Sequence, residues 1–272
     1  MSCRRAGRME ANSRNDSEEG SGIGCHSPIA PPNLLSEPVR GRIDAYASME
    51  LEMPLTLYYH PFSSFCQKVL IALYENDTPF EGRVIDLGDA DSRAELERVW
   101  PLTKFPVLRD EEAGVTVPES GLIIEYLEER HPGKTALVPR DLNAGIEARL
   151  WDRFFDNYVN VPMQKAMLPI IFPDRPEDSG TEEARTQLDR SYAVLDGRLA
   201  GRKWAAGDDF STADCSAAPA LFYSNLARPF DGHSNLSAYF ERLMARPSFK
   251  RTVDEARPFR RFLSIEWPAA YA

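Results

Sequence analysis

The sequence predicts a small α/β unit with a mixed sheet, followed by an all-helical domain. Two observations carry this. Between Leu55 and Gly133, short β-rich runs and apolar-periodic segments alternate in the order β-α-β-α-β-β-α, the order of a compact α/β unit. After that point no strand pattern recurs, and every long segment has helical spacing.

The elements follow in order. "LTLYY" is a β-rich run, and "SFCQKVLIALYEN" places Cys66, Val69, Leu70 and Leu73 at helical spacing. "PFEGRVIDL" reads as a second strand, and "DSRAELERVW" as a charged amphipathic helix capped by Asp91 or Ser92. "FPVLRD" and "GVTVPES" are two strands joined by "DEEAG", with Gly114 supplying the turn. "SGLIIEYLEERHPG" is a helix ended by His131, Pro132 and Gly133. "HPGKTALVPRD" is a Pro-containing linker. "NAGIEARLWDRFFDNYVNVPMQKAML" reads as a long amphipathic helix with Ile146, Leu150, Phe154 and Tyr158 in register and a break at Pro162. "TEEARTQLDRSYAVLDGRLA" stacks Leu188, Tyr192, Leu195 and Leu199, and "FSTADCSAAPALFYSNLA", "NLSAYFERLMAR" and a short helix from Pro247 complete the set. No internal repeat is present.

Composition limits the function. The chain has 272 residues, 43% of them hydrophobic, and a net charge of -10 from 32 basic and 42 acidic side chains. Such an acidic chain argues against nucleic-acid or anionic-membrane partners. Cys3, Cys25, Cys66 and Cys215 form no CxxC and no metal-ligand spacing, which implies a reducing, cytoplasmic setting and no metal. No apolar run reaches the ~18 residues that span a bilayer. Residues 1–52 are rich in Ser, Gly, Pro and mixed charge, so they are expected to be a disordered tail or an upstream extension. Met53 reads as the natural start of the folded part.

Four motifs raise chemistry. "FSSFCQKV" puts Ser63 and Ser64 where a strand runs into a helix, in a field that favours an anion. A serine there either caps the helix or acts on a bound anion. Cys66 falls on the inward face beside Val69 and reads as a buried thiol. "TKFPVL" places Pro106 just before a strand run, with Lys104 beside it. "VPES" opens a helix with Glu119 and Ser120: a carboxylate for an ammonium group, and a hydroxyl and N–H for a carboxylate. Together they suit a zwitterion; alone they are a helix cap with a first-turn acid. Ser211 and Asp214 in "FSTADC" form a capping box, to which we assign a folding role only.

These motifs, in this order, resemble the cytosolic glutathione transferase superfamily over about residues 53 to 265. The resemblance implies a thioredoxin-like N-terminal domain (53–133), a linker (134–143), an all-helical domain (144–265) and a C-terminal tail (266–272). It implies that Ser63, matching the serine of theta-, tau- and zeta-like members, donates a hydrogen bond to the thiol of glutathione. It implies a cis Pro106 whose following residue, Val107, offers its backbone to the cysteinyl part. Lys104 would meet the glycyl carboxylate, and Glu119 and Ser120 the γ-glutamyl group. The sequence departs from the family at Phe65, where zeta-like members have Cys, at Trp100, where Asn is usual, and at Thr103, where Gly is usual. The electrophile would lie between domains, with Trp151, Phe155 and Tyr158 as its wall. The implied protein is a homodimeric enzyme that uses glutathione as co-substrate. An isomerase, dehalogenase or peroxidase on the same fold, and a non-catalytic binding module, remain open alternatives.

Overall fold

The computed structural model describes residues 54–174, 178–265 and 267. The tail expected over residues 1–52, Met53 as a start and most of the terminal segment 266–272 lie outside the described residues. The first half forms a four-stranded sheet in the order β2-β1-β3-β4. β1 (Leu55–Tyr59) pairs in parallel with β2 (Glu81–Val84) and antiparallel with β3 (Val107–Asp110), which pairs antiparallel with β4 (Val115–Pro118). The sheet is therefore mixed. Gly114 (φ 67°) turns the β3–β4 hairpin in a conformation that favours glycine.

Three helices complete this unit: α1 (Ser64–Glu75), α2 (Ala90–Val99) and α3 (Ser120–Arg130). One sheet face packs Leu55, Leu57, Leu108 and Val117 against Val69, Leu70 and Leu73 of α1 and Ile123 and Leu127 of α3. The other face sets Val107 against Ile85 and Leu96 under α2. The cap of α2 is not Asp91 or Ser92 but Asp89, whose Oδ1 accepts from Ser92 N at 2.8 Å. The Ser92 hydroxyl instead accepts from Asp86 N.

The second half is helical: α4 (Leu142–Phe154), a π-helical turn (Phe155–Asn160), α5 (Val161–Ala166), α6 (Leu168–Ile171), α7 (Ser179–Leu199), α8 (Thr212–Ala227), α9 (Ser234–Met244), α10 (Pro247–Ala256) and a closing 3-10 turn (Arg257–Phe262). Asp141 caps α4 through Ala144 N. Leu188, Tyr192, Leu195 and Leu199 of α7 are buried in one core with most of α8, as their spacing predicts. The Ser211–Asp214 capping box is present, and the buried Asp214 also accepts from Ala205 N (3.0 Å) and the Tyr239 hydroxyl (2.6 Å). Among the described residues no helix is long and apolar enough to cross a membrane.

The expected face of α4 is reversed. Ile146, Leu150 and Tyr158 are exposed, while Ala148, Trp151, Phe155 and Val159 are buried. Two apolar stripes share this helix, and spacing alone does not rank them. Pro162 does not break the chain's course. It lies in a helical run that continues unbroken from α4 through the π turn into α5, and the Tyr158 carbonyl four residues before it accepts instead from the Ser191 hydroxyl at 2.7 Å.

Helix α1 is enclosed by both halves. Its sheet-facing residues serve the first core, while Ile71 and Ala72 join the helical core. Polar contacts fix it there. Lys68 Nζ, 1% exposed, lies 2.7 Å from Asp152 Oδ1 and 2.8 Å from Asp156 Oδ2. Asp152 Oδ1 also accepts from the Thr212 and Ser216 hydroxyls. At the other end of α1, Glu75 binds Arg246 and Ser248, and the Tyr74 hydroxyl donates to Glu255 at 2.8 Å.

Candidate functional site

The sheet register assembles the site. Tyr58, Val107 and Pro118 are neighbours across β1, β3 and β4. The loop leaving β1 (His60–Ser63), the loop entering β3 (Lys104–Pro106) and the turn leaving β4 (Glu119–Ser120) therefore emerge at one edge. The His60 and Phe105 rings, 6.1 Å apart, bring the first two loops together.

Ser63 is the N-cap of α1, with extended backbone (φ -85°, ψ 122°), and its Oγ accepts from Cys66 N at 3.4 Å. As a cap it still has a proton to give. Among the described residues no oxygen or nitrogen takes that proton, and the nearby Cys66 sulfur is a weak acceptor. Ser64 is different: it is buried and donates to Asn160 Oδ1 at 2.8 Å. Cys66 is fully buried, and burial pushes its thiol up to about 12, against small opposing contributions from the Ser63 hydroxyl and the His60 N–H. It is a structural thiol rather than a nucleophile.

The Phe105–Pro106 peptide is cis. Val107, however, does not offer its backbone to a ligand. Glu111 N donates to Pro54 O, which makes 54–111 a hydrogen-bonded pair. Alternation along the antiparallel ladder then makes 58–107 another, so Val107 spends its N–H and C=O on Tyr58. The free backbone belongs to Phe105, whose N–H and C=O carry no hydrogen bond among the described residues. The signal for it was the residue before a proline, held out of regular structure. Lys104, next to it, is exposed and without an ion-pair partner among the described residues.

Glu119 and Ser120 form the start of α3. Glu119 is a non-glycine residue at φ 69°, a conformation that costs about 1–3 kcal/mol. Its exposed side chain makes no cap hydrogen bond. Ser120, 5% exposed, is the first helical residue, so its N–H is one of the unsatisfied donors of the helix end. Sequence reading missed Arg153 of α4. A Cβ at Gly121 would come within 2.5 Å of its guanidinium, which is held by Asp152 (3.0 Å) and Asp156 (3.5 Å). A cation thus lies against the helix end that is built for an anion.

The expected electrophile wall is corrected. Trp151 donates to Glu147 and lies under Arg198 in the helical core, and Phe155 is fully buried there. Tyr158 is exposed beside α7, where its carbonyl accepts from Ser191. The aromatic residues next to Ser63 are others. His60 contacts Phe105, Phe259 (4.6 Å) and Phe262 (6.5 Å), while Phe62 contacts Tyr223 (5.4 Å) and Phe262 (6.2 Å). Phe259 and Phe262 come from the closing 3-10 turn, about two hundred residues away in the chain, and no local pattern could have linked them to Ser63.

A mixed βαβαββα unit with a cis-proline before β3, a serine at the head of α1 and a Glu–Ser helix start, joined to a helical bundle, defines the architecture of glutathione transferases. Comparison agrees. Residues 57–135 match the glutathione S-transferase N-terminal domain, and residues 158–247 match the C-terminal domain of the same name. The chain is 26% identical over 207 residues to the glutathione S-transferase GstB of Escherichia coli strain K12, covering 73% of this chain and 97% of that protein. A glutathione S-transferase structure from Methylobacillus flagellatus with glutathione bound superposes with a TM-score of 0.63 at 28% identity, over 73% of this chain and 98% of that one. Glutathione transferase F2 of Populus trichocarpa gives 0.68 at 21% identity, over 75% and 100%. The chain belongs to the cytosolic glutathione transferase superfamily, and glutathione transferase is its enzyme class.

Proposed function

We propose that this enzyme ionises the thiol of glutathione through Ser63 and directs the thiolate at a small hydrophobic electrophile. The observation that carries the reading is the Ser63 hydroxyl: it caps α1, and among the described residues its proton meets only the weakly accepting sulfur of Cys66, which a bound thiolate would outcompete. A hydrogen bond from that hydroxyl, with the α1 dipole, favours sulfur as an anion. Glu119 takes the α-ammonium of the γ-glutamyl group, and Ser120 takes its carboxylate. The Phe105 backbone serves the cysteinyl part, and Lys104 the glycyl carboxylate. The electrophile lies against Phe62, Phe259 and Phe262. The wild-type protein should conjugate glutathione to 1-chloro-2,4-dinitrobenzene; retention on immobilised glutathione without turnover would favour a binding module instead.

The protein acts as a cytoplasmic homodimer in this reading. Leu142, Ile146 and Leu150 form an exposed apolar stripe on α4, with the exposed Leu122 on α3. An apolar stripe of this kind suits a two-fold partner surface.

A further inference from the structure

We propose that His60 is a catalytic residue: its Nε2–H donates a hydrogen bond to the oxygen that gains negative charge when the thiolate adds to a planar, conjugated carbonyl electrophile. This rests on the glutathione transferase reading of the same site and names its substrate class.

Four observations carry it. First, His60 is the residue after β1, three before Ser63, and its carbonyl accepts from Ser63 N at 3.0 Å. Second, the Phe62 N–H donates to His60 Nδ1 at 3.2 Å. That bond requires a lone pair on Nδ1, so the neutral ring carries its proton on Nε2. Third, Nδ1 already does the structural work of holding the turn, and Nε2 has no partner among the described residues. Fourth, the imidazole is enclosed by the rings of Phe105, Phe259 and Phe262. These apolar rings thin out competing water around the imidazole and suit a flat, conjugated ligand. Burial lowers the His60 pKa, with Asp86 opposing, which keeps the ring in this neutral, donating form near pH 7.

The chemistry balances without another reagent. Glutathione loses its thiol proton to solvent on becoming a thiolate. The sulfur forms a bond to the β-carbon of the acceptor, the carbon–carbon π bond breaks, and its electron pair moves through the conjugated system onto the carbonyl oxygen. The Nε2–H donates to that oxyanion without leaving nitrogen. Water then protonates the α-carbon, the carbonyl re-forms, and the proton lost from the thiol is matched. A donor placed where charge develops, in a partly dry site, assists this step and does little for a displacement that sends charge to a halide.

The test compares two probes sharing a phenyl group: trans-4-phenylbut-3-en-2-one, which develops an oxyanion, and benzyl chloride, which does not. His60→Asn keeps an acceptor near Nδ1 and removes the far donor; His60→Gln places an amide N–H near Nε2. We expect kcat/KM of His60→Asn on the butenone to fall on the order of 10²-fold, with benzyl chloride changing less than about threefold, and His60→Gln to recover a large part of the loss. Equal loss on both probes, or no loss on either, overturns the role of His60 while leaving thiolate activation intact. Failure of the wild-type protein to conjugate either probe overturns both readings. A thermal melt of each variant, matching the wild type, excludes misfolding as the source of a selective loss.

Discussion

The Ser64 hydroxyl donates to Asn160 Oδ1 at 2.8 Å, in a buried contact between α1 and the end of the π turn. This bond separates two adjacent serines. Ser64 has given its proton to a buried amide oxygen, whereas the proton of Ser63 faces only the weakly accepting sulfur of Cys66. Position in the sequence does not distinguish them; the helical domain does.

Ser63→Ala should lower kcat/KM for conjugation by roughly 10–150-fold, the range of a lost hydrogen bond to a charged group. Glutathione affinity should change little. Ser64→Ala should do the reverse: activity within a few fold, with about 1–3 kcal/mol of stability lost by stranding Asn160. Steady-state kinetics and chemical denaturation of both variants check this. A large rate loss in Ser64→Ala alone would transfer the role to Ser64.

At the start of α3, the strain and the ligand role of Glu119 can be separated. Glu119→Ala keeps the positive φ and removes the carboxylate, so affinity should fall while stability stays close to that of the wild type. Glu119→Gly removes the carboxylate but accepts φ 69° without strain. It should lose the same affinity, ten-fold or more in Kd, with stability unchanged or slightly raised. Calorimetric titration with glutathione beside a thermal melt measures both. Unaltered affinity in both variants would remove Glu119 from the site.

Lys68→Met should destabilise the fold by about 3–5 kcal/mol near pH 8, because Asp152 and Asp156 remain buried without their ammonium. The deficit should depend on pH. Burial already raises the folded pKa of Asp156, against the pull of Lys68, and removing Lys68 raises it further. A carboxyl whose folded pKa exceeds its unfolded value contributes stability at low pH that is lost as pH rises through the folded value. The variant's deficit should therefore shrink from pH 8 to pH 5, as urea denaturation at each pH would record. A deficit independent of pH would contradict this reading of the cluster.

Ile146→Asp should convert a dimer to a monomer without unfolding it, since Ile146 is 54% exposed in the single chain. Sedimentation of wild type and variant decides this. A wild-type monomer would leave the α4 stripe without the partner assigned to it.

Much of the first half is legible in sequence because its signals are local. The alternation around "LTLYY", the proline before β3 and the Gly114 turn each act within a few residues. So does the Ser211–Asp214 box. Misreadings came where tertiary packing decides. Ile146 and Leu150 share α4 with Trp151 and Phe155, and only the neighbouring helices choose which pair goes inside. Val107 and Phe105 flank the same proline, and only the ladder register shows which has free backbone. Phe259 and Phe262 reach Ser63 across the whole chain, so no window of sequence contains the relationship.

The most direct test of the central claim is the pKa of bound glutathione. Ultraviolet absorbance of the thiolate is followed as pH is raised, with wild-type protein and with Ser63→Ala. The account predicts a thiol pKa drawn to roughly 6–7 in the wild type and returned toward the free value of ~8.5 in the variant. A bound thiol that titrates at its free value in the wild type, or a depressed pKa that survives in Ser63→Ala, would contradict activation by Ser63.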